Sequence, residues 1–244
     1  MADLPTGLTE ALRGAHRVVA LTGSGISAES GVPTFRDAQT GLWARYDPQK
    51  LATPEAFARD PELVWKWYAW RRGLVEGARP NPGHGALANL ERRATVFSLV
   101  TQNVDGLHQE AGSSNVVELH GNIRRSRCSA ENVTVEPNDT EHLPPICPNC
   151  GSPLRPDVVL FGEALPDEAL RMASEAASSC DLLLSVGTSG LVYPAASIPY
   201  EALENGATVV EINPDPTPLS ALAEFAVRGR AGEVLPQLVG AAFG

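Results

Sequence analysis

The chain has 244 residues, 43% of them hydrophobic, enough for one large domain or one domain carrying a small insert. Its formal net charge of −10 opposes the basic surface that nucleic-acid phosphates require, whereas basic segments of other proteins remain compatible with it. No apolar run reaches the roughly 18 residues of a membrane span, and the opening MADLPTGLTE has neither a basic nor an apolar leader region, so a cytoplasmic protein that engages no membrane is expected.

In chain order, a helix-like stretch at 4–15 leads into an aliphatic strand at 17–21. A Pro/Gly loop then opens at Gly31 and becomes tryptophan-rich helix by Glu76. A helix at 82–93 precedes strands at 95–101 and 115–119. The cysteine-bearing stretch 128–151 follows, then a helix at 166–178, a strand at 181–186, a helix at 195–205 and strands at 208–212 and 226–229. Short β-branched runs alternating with longer helices are the pattern of an α/β protein, a Rossmann-like parallel sheet with helices on both faces. Residues 31–76 and 128–151 break the alternation and read as inserts forming a smaller lobe. The expected organisation is a single domain over 1–244, with a large lobe from 1–36, 80–123 and 155–244 and a small lobe from 37–79 and 124–154. No internal repeat is evident.

Open α/β sheets bind ligands at the carboxyl ends of their strands. Here those ends read Thr22-Gly23-Ser24-Gly25, Gln102-Asn103-Val104-Asp105, His120-Gly121, Gly187-Thr188-Ser189 and Asn213-Pro214. Gly23-Ser24-Gly25-Ile26-Ser27-Ala28 fits the glycine pattern that lets a backbone turn approach a pyrophosphate, although alone it is also an ordinary tight turn. The hydride-transfer version needs a second strand ending in an acidic residue about 20 residues later, and none is present. The chain continues instead as Glu29-Ser30-Gly31-Val32-Pro33-Thr34-Phe35-Arg36-Asp37, suited to covering a cofactor and working on its ribose.

GSGISAESGVPTFRD, TQNVDGLHQEAG, ELHGN, RPDVVLFGE and SVGTSG, in this order, resemble the signature set of the sirtuins, and the likeness runs on to GRAGEVLP near the end. Ser24 departs from the family's usual Gly-Ala-Gly. The resemblance implies a deacylase that consumes NAD and acts on acylated lysine side chains of proteins. It implies that Gly23, Ser24, Gly25, Ile26 and Glu29 hold the pyrophosphate side, that Phe35 and Arg36 close over the reacting ribose, and that Gln102, Asn103 and Asp105 orient ribose and nicotinamide. Gly187, Thr188 and Ser189 would bind phosphate and ribose, Asn213 the adenosine ribose and Ala231 the adenine side. Asn103 and His120 would be catalytic, His120 as the general base, since an imidazole is largely neutral at pH 7. Val159, Phe161 and Gly162 lie in the segment that resembles the family's substrate-pairing strand. His84 and His108 are read as packing or local hydrogen-bonding residues.

Cys147-Pro-Asn-Cys150 is a knuckle able to present two thiolates to one tetrahedral metal, and Cys128 lies upstream. These three give a zinc-ribbon-like insert with one structural zinc. The family's fourth cysteine is replaced by Glu131, so the last ligand is Glu131 or His142, or else the insert folds without metal. Cys180 reads as a buried apolar filler.

Tyr68 and Arg71 are three residues apart on a helical stretch and therefore share a face. This spacing is common on solvated helices. Within the resemblance it matches the sirtuin subgroup whose pocket takes succinyl, malonyl or glutaryl lysine, where a phenol and a guanidinium suit a carboxylate. Two other functions remain open at this stage. An ADP-ribosyltransferase or NAD glycohydrolase breaks the same nicotinamide bond and is separated by its products, and a non-catalytic NAD or ADP-ribose sensor is separated by nicotinamide release. Oligomeric state is not encoded in any motif found.

Overall fold

A computed structural model describes residues 4–33, 47–137 and 141–244. Six strands form one parallel sheet: β1 (Arg17–Thr22), β2 (Val96–Thr101), β3 (Val116–Glu118), β6 (Leu182–Val186), β7 (Thr208–Ile212) and β8 (Phe225–Val227). Their order is β3-β2-β1-β6-β7-β8. The chain builds outward from β1 to β3 on one side and from β6 to β8 on the other, so the topological switch point lies between β1 and β6. There Thr22 is paired with Val186. The other two strands, β4 (Gly121–Cys128) and β5 (Leu154–Val158), form an antiparallel pair whose register shifts between Asn122 and Ser126.

Helices cover both faces of the sheet. One face packs on α1 (Leu8–Gly14), α6 (Pro82–Arg93) and α10 (Ala231–Phe243) through a core that includes Leu12, Leu87, Leu90, Leu99, Leu184 and Leu238. The other packs on α8 (Asp167–Ser178) and α9 (Ile198–Glu204) through Leu21, Val100, Leu183, Ala177, Ile198 and Val209. Because both faces are covered, β1, β6 and β7 carry almost unbroken apolar runs in place of alternation. The remaining α-helices are four short ones and one long one. They are α2 (Ser24–Ala28), α3 (Pro48–Leu51), α4 (Pro54–Arg59), α7 (Leu107–Glu110) and, longer than the rest, α5 (Pro61–Gly77).

The α/β class, the parallel sheet and the helices on both faces agree with the sequence reading, and all six expected strands lie within two residues of their expected bounds. Three features differ. The 195–205 helix is a 3-10 turn at Ala195–Ser197 followed by α9. The closing helix α10 is absent from the sequence reading, because Gly232, Pro236 and Gly240 interrupt its pattern. It forms nonetheless, since Val234, Leu235, Leu238 and Val239 are buried against the core. The pair β4 and β5 also went unread: Gly121-Asn-Ile-Arg-Arg-Ser-Arg-Cys128 is too polar to read as a strand.

The insert helix α5 starts where the chain predicts it can. Asp60 accepts from Leu63 N at 3.0 Å, Pro61 takes the first helical position and Glu62 follows in the first turn. Its buried side brings Trp67 and Tyr68 onto Ile123, Val158 and Leu160, joining the helical insert to the β4–β5 pair. Among the described residues, no helix is long and apolar enough to cross a membrane.

Candidate active site

The turns that follow β1 and β6 touch backbone to backbone. Gly23 N donates to Val186 O at 3.0 Å, and Gly25 N donates to Gly187 O at 2.8 Å. A Cβ on Gly25 would lie 2.7 Å from Gly187 Cα, and one on Gly187, whose φ is +59°, would lie 2.5 Å from Ile26 N. Only glycine permits this approach. The turns form one wall of a cleft of about 740 Å³ that also takes in the loaded ends of β2 and β7, His120 and the 158–163 segment.

Within the cleft the amides are held by short bonds. Gln102 Nε2 donates to Thr188 Oγ1 at 2.9 Å, and Asn213 Nδ2 donates to Thr188 O at 2.8 Å, so three strand ends are tied together. Asn103 Nδ2 donates to Gly23 O at 3.0 Å and to Ser27 Oγ at 3.1 Å. Asp105 is buried beneath, accepting from Ser27 Oγ at 2.7 Å and from Leu107 N at 2.9 Å. Gly23, Ser24, Gly25, Gln102, Asn103, Asp105, Gly187, Thr188, Ser189 and Asn213 all line the cleft. Ile26, Glu29 and Ala231 stand behind its wall: Ile26 is in the core, Glu29 accepts from Gly232 N at 2.8 Å, and Ala231 is buried at the start of α10. Phe35 and Arg36 lie outside the described residues.

His120 sits between β3 and β4 and faces the cleft. Its Nδ1 donates to Gln102 O at 2.7 Å, which fixes the tautomer and leaves the Nε2 lone pair for a proton. Burial holds its pKa below the usual histidine value, partly offset by that backbone hydrogen bond, so the ring is neutral at pH 7.

At the far end, Tyr68 and Arg71 of α5 line the same cleft as Val159, Phe161 and Gly162. Burial pushes the Tyr68 phenol well above its usual pKa, with Arg71 and Arg155 opposing and Glu163 assisting. It is therefore a neutral donor. The Arg71 guanidinium lies 5.3 Å from the Trp67 ring centroid and donates to Pro33 O at 3.4 Å. Several lining residues were passed over in the sequence reading, notably Leu191, Val192 and Tyr193, all exposed apolar residues, and Glu163. A run of three apolar residues directly after Gly-Thr-Ser-Gly, outside any helix or strand period, was the available signal.

The Sir2 family profile matches residues 23–194, which hold both glycine turns and His120. This chain belongs to the Sir2 family. It is 58% identical to NAD-dependent protein deacylase 2 of Pyrobaculum aerophilum over 233 residues, covering 95% of this chain and 93% of that protein. It is 56% identical to NAD-dependent protein deacylase 1 of Pseudomonas aeruginosa, covering 97% and 98%. A Sir2 homologue solved with NAD superposes with a TM-score of 0.92 at 48% identity, covering 99% of this chain and 94% of that one. A Sir2 protein solved with a deacetylated p53 peptide and 3′-O-acetyl ADP ribose superposes at 0.85 and 32% identity, covering 95% and 96%.

In this Sir2 chain Cys128, Cys147, Cys150 and Glu131 place their ligand atoms within 4.8 Å of one another, and Cys128 Sγ is 3.4 Å from Cys150 Sγ. Tetrahedral zinc with Zn–S bonds of about 2.3 Å separates its sulfurs by about 3.8 Å, so the donor set fits one zinc ion. Glu131, not His142, belongs to this group. The cluster packs on Trp65 and Leu154, away from the residues lining the cleft, which makes its role structural. Zinc analysis of protein purified without chelator should approach one ion per chain, and Cys147→Ala should lose both the metal and cooperative unfolding of the insert. Metal-free, fully cooperative wild-type protein would show that the cluster folds on its own contacts.

His84 and His108 form local bonds, as the sequence reading has it, but directly under the cleft. His84 Nδ1 accepts from Asn81 N, His108 Nε2 lies 2.9 Å from Thr22 Oγ1, and the rings are 4.8 Å apart. Burial lowers both pKa values, that of His108 to about 3 with His84 contributing, while Asp105 opposes the fall at His84. The unfolded chain takes up these protons near pH 6.5 and the folded one only far lower, so their stabilisation is present above 6.5 and lost as pH falls from there. Thermal unfolding should show stability falling between pH 6.5 and 4.5, at about 1.4 kcal/mol per unit for each histidine. His108→Gln should flatten the slope by about one proton, and an identical slope in the variant would refute a neutral, buried His108.

Proposed function

We propose that this chain is an NAD-dependent protein-lysine deacylase that prefers acidic acyl groups, desuccinylation and demalonylation, alongside deacetylation. The observation that carries the deacylase reading is the meeting of the two glycine turns with a tautomer-fixed, neutral His120 in one cleft. Family membership and the names of the relatives support it. Bound NAD supplies the ribose carbon at which nicotinamide is exchanged for the acyl oxygen, and water then frees lysine and an O-acyl-ADP-ribose.

The chain's own part is positional and acid–base. Gly23, Gly25 and Gly187 remove side chains from the place where a pyrophosphate would lie against backbone. Gln102, Asn103 and Asn213 are fixed by their bonds, so their remaining polar atoms meet a ribose and a carboxamide without reorganisation. His120 Nε2 accepts a ribose hydroxyl proton, and the Gln102 carbonyl steadies the imidazolium that results. The 158–162 segment, which includes the exposed Phe161, offers an edge for an extended acyl-lysine peptide.

The acidic-acyl preference rests on Tyr68 and Arg71 at the end of the cleft. A neutral phenol and a buried guanidinium can both donate to a terminal carboxylate, and a charge-assisted hydrogen bond is worth about 1.5–3 kcal/mol. The overall charge of −10 opposes an anionic acyl group only weakly, since fields beyond about 8–10 Å are screened at physiological salt.

His120→Ala should reduce NAD-dependent deacylation by roughly 10²- to 10⁴-fold while the fold and most NAD binding persist. Unchanged turnover in a folded variant removes His120 from the base role. Mass spectrometry of the wild-type products separates a deacylase, which yields an acyl-ADP-ribose, from an ADP-ribosyltransferase, which yields a modified protein. On one peptide carrying succinyl or acetyl lysine, Arg71→Met should collapse kcat/KM for the succinyl form by one to three orders of magnitude, roughly the value of one or two charged hydrogen bonds, and spare the acetyl form. Tyr68→Phe should act in the same direction more weakly. A succinyl-to-acetyl ratio unmoved in both would leave a general deacetylase.

A further inference from the structure

Arg155 of β5 and Glu163 form a bidentate pair, Nη1 to Oε1 at 2.6 Å and Nη2 to Oε2 at 2.8 Å, at the acyl end of the cleft. Glu163 Oε2 also accepts from Leu160 N at 2.8 Å, and Arg155 Nη2 donates to Val158 O at 2.8 Å. Glu163 lines the cleft beside Tyr68 and Arg71. Although burial raises its pKa, the bonds from Arg155 and Leu160 and the charges of Arg155 and Arg127 bring it below the usual carboxylate value, so it is ionised at neutral pH. The charges of Arg71, Arg155 and Glu163 all reach the Tyr68 phenol.

Arg125 is paired with Glu118 and Asp157, and Arg127 lies 3.8 Å from Asp157. Among the described residues that line the cleft, Arg71 is the one permanent cation. Which acyl groups are admitted then depends on whether Arg155 adds a second positive charge behind it.

We propose that the Arg155–Glu163 pair sets acyl selectivity: ionised Glu163 cancels the second positive charge that Arg155 would otherwise add behind Arg71, so neutral chains are accepted along with anionic ones. This rests on the deacylase reading and on the placement of the acyl group near Tyr68 and Arg71. A purely mechanical role is the competing account, since the same pair fixes the turn that carries Phe161 and Gly162. The two differ in sign. Removing the Glu163 charge should favour an anionic acyl group and removing the Arg155 charge should disfavour it, whereas loosening the turn weakens every substrate alike.

The test uses one peptide bearing either succinyl or butyryl lysine, which have the same number of acyl carbons and differ in a terminal carboxylate against a methyl, with saturating NAD. Glu163→Gln keeps an oxygen for Leu160 N and loses the charge. It should raise the succinyl-to-butyryl ratio of kcat/KM by roughly tenfold or more, as expected for one unit charge within about 12 Å at an effective dielectric near 20. Arg155→Met should lower the ratio by a similar factor, and Arg155→Lys, which keeps the charge, should restore it toward wild type. Ratios that stay within about twofold of wild type, or that move in the same direction in the Gln and Met variants, overturn the proposal. Should one of these variants fail to fold, the other still gives the sign. If Arg71→Met shifts the ratio and these variants do not, the deacylase reading stands and this inference falls; if the wild type removes neither acyl group with NAD, both fall.

Discussion

Everything at the functional end of this molecule depends on two backbone turns being able to touch. β1 and β6 are hydrogen-bonded neighbours whose crossovers leave in opposite directions, so the chain opens a crevice just beyond Thr22 and Val186. The ladder continues one step past the strands, from Gly23 N to Val186 O, and the next contact is Gly25 N to Gly187 O. Any side chain at Gly25 or Gly187 would wedge these turns apart and move the amides that hang from them. Thr188, which follows Gly187, holds Gln102 and Asn213, and Gly23 holds Asn103. The glycines therefore fix the geometry of three amides contributed by strands that are far apart in sequence.

Beneath this surface lies a floor of buried polar groups that hydrogen-bond to one another. Ser27 joins Asn103 to Asp105, and Thr22 joins Thr101 to His108. Asp105 tolerates burial because both oxygens accept hydrogen bonds, while the two histidines tolerate it by staying neutral. Such a floor holds Asn103 and the Gly23 carbonyl in place from below, and the cost is a sensitivity to acid that a purely apolar floor would lack.

The parts legible in the sequence are those in which local pattern and tertiary role agree. Strands buried on both faces must be apolar throughout, so β1, β2, β6 and β7 are visible as aliphatic runs, and the chemistry at their ends is visible because a ligand site there needs small and polar residues. The shared face of Tyr68 and Arg71 follows from helical spacing alone, and both do line the cleft. What could not be read depends on partners distant in the chain. The strand β4 carries three arginines that are acceptable only because Glu110, Glu118, Asp157 and the Asp105 carbonyl meet them. Glu163 is unremarkable until Arg155 is seen opposite it, and α10 forms because of its buried side, in spite of its glycines and proline.

The two inserts, separated by most of a Rossmann-type half, also find each other through contacts that neither segment announces. Trp65, one helical turn before Tyr68 and about 60° round α5 from it, packs on Cys128, Cys147 and Leu154, and its ring lies 5.6 Å from the Arg72 guanidinium. Arg72 in turn donates to Ile123 O at 2.8 Å, at the place where the β4–β5 register shifts and backbone carbonyls lose their strand partners. A helix held along this flank has little freedom to rotate, and rotation of α5 by one residue, about 100°, would carry Tyr68 and Arg71 out of the cleft together. The cysteine cluster thus bears on the end of the cleft lined by Tyr68 and Arg71 without touching it.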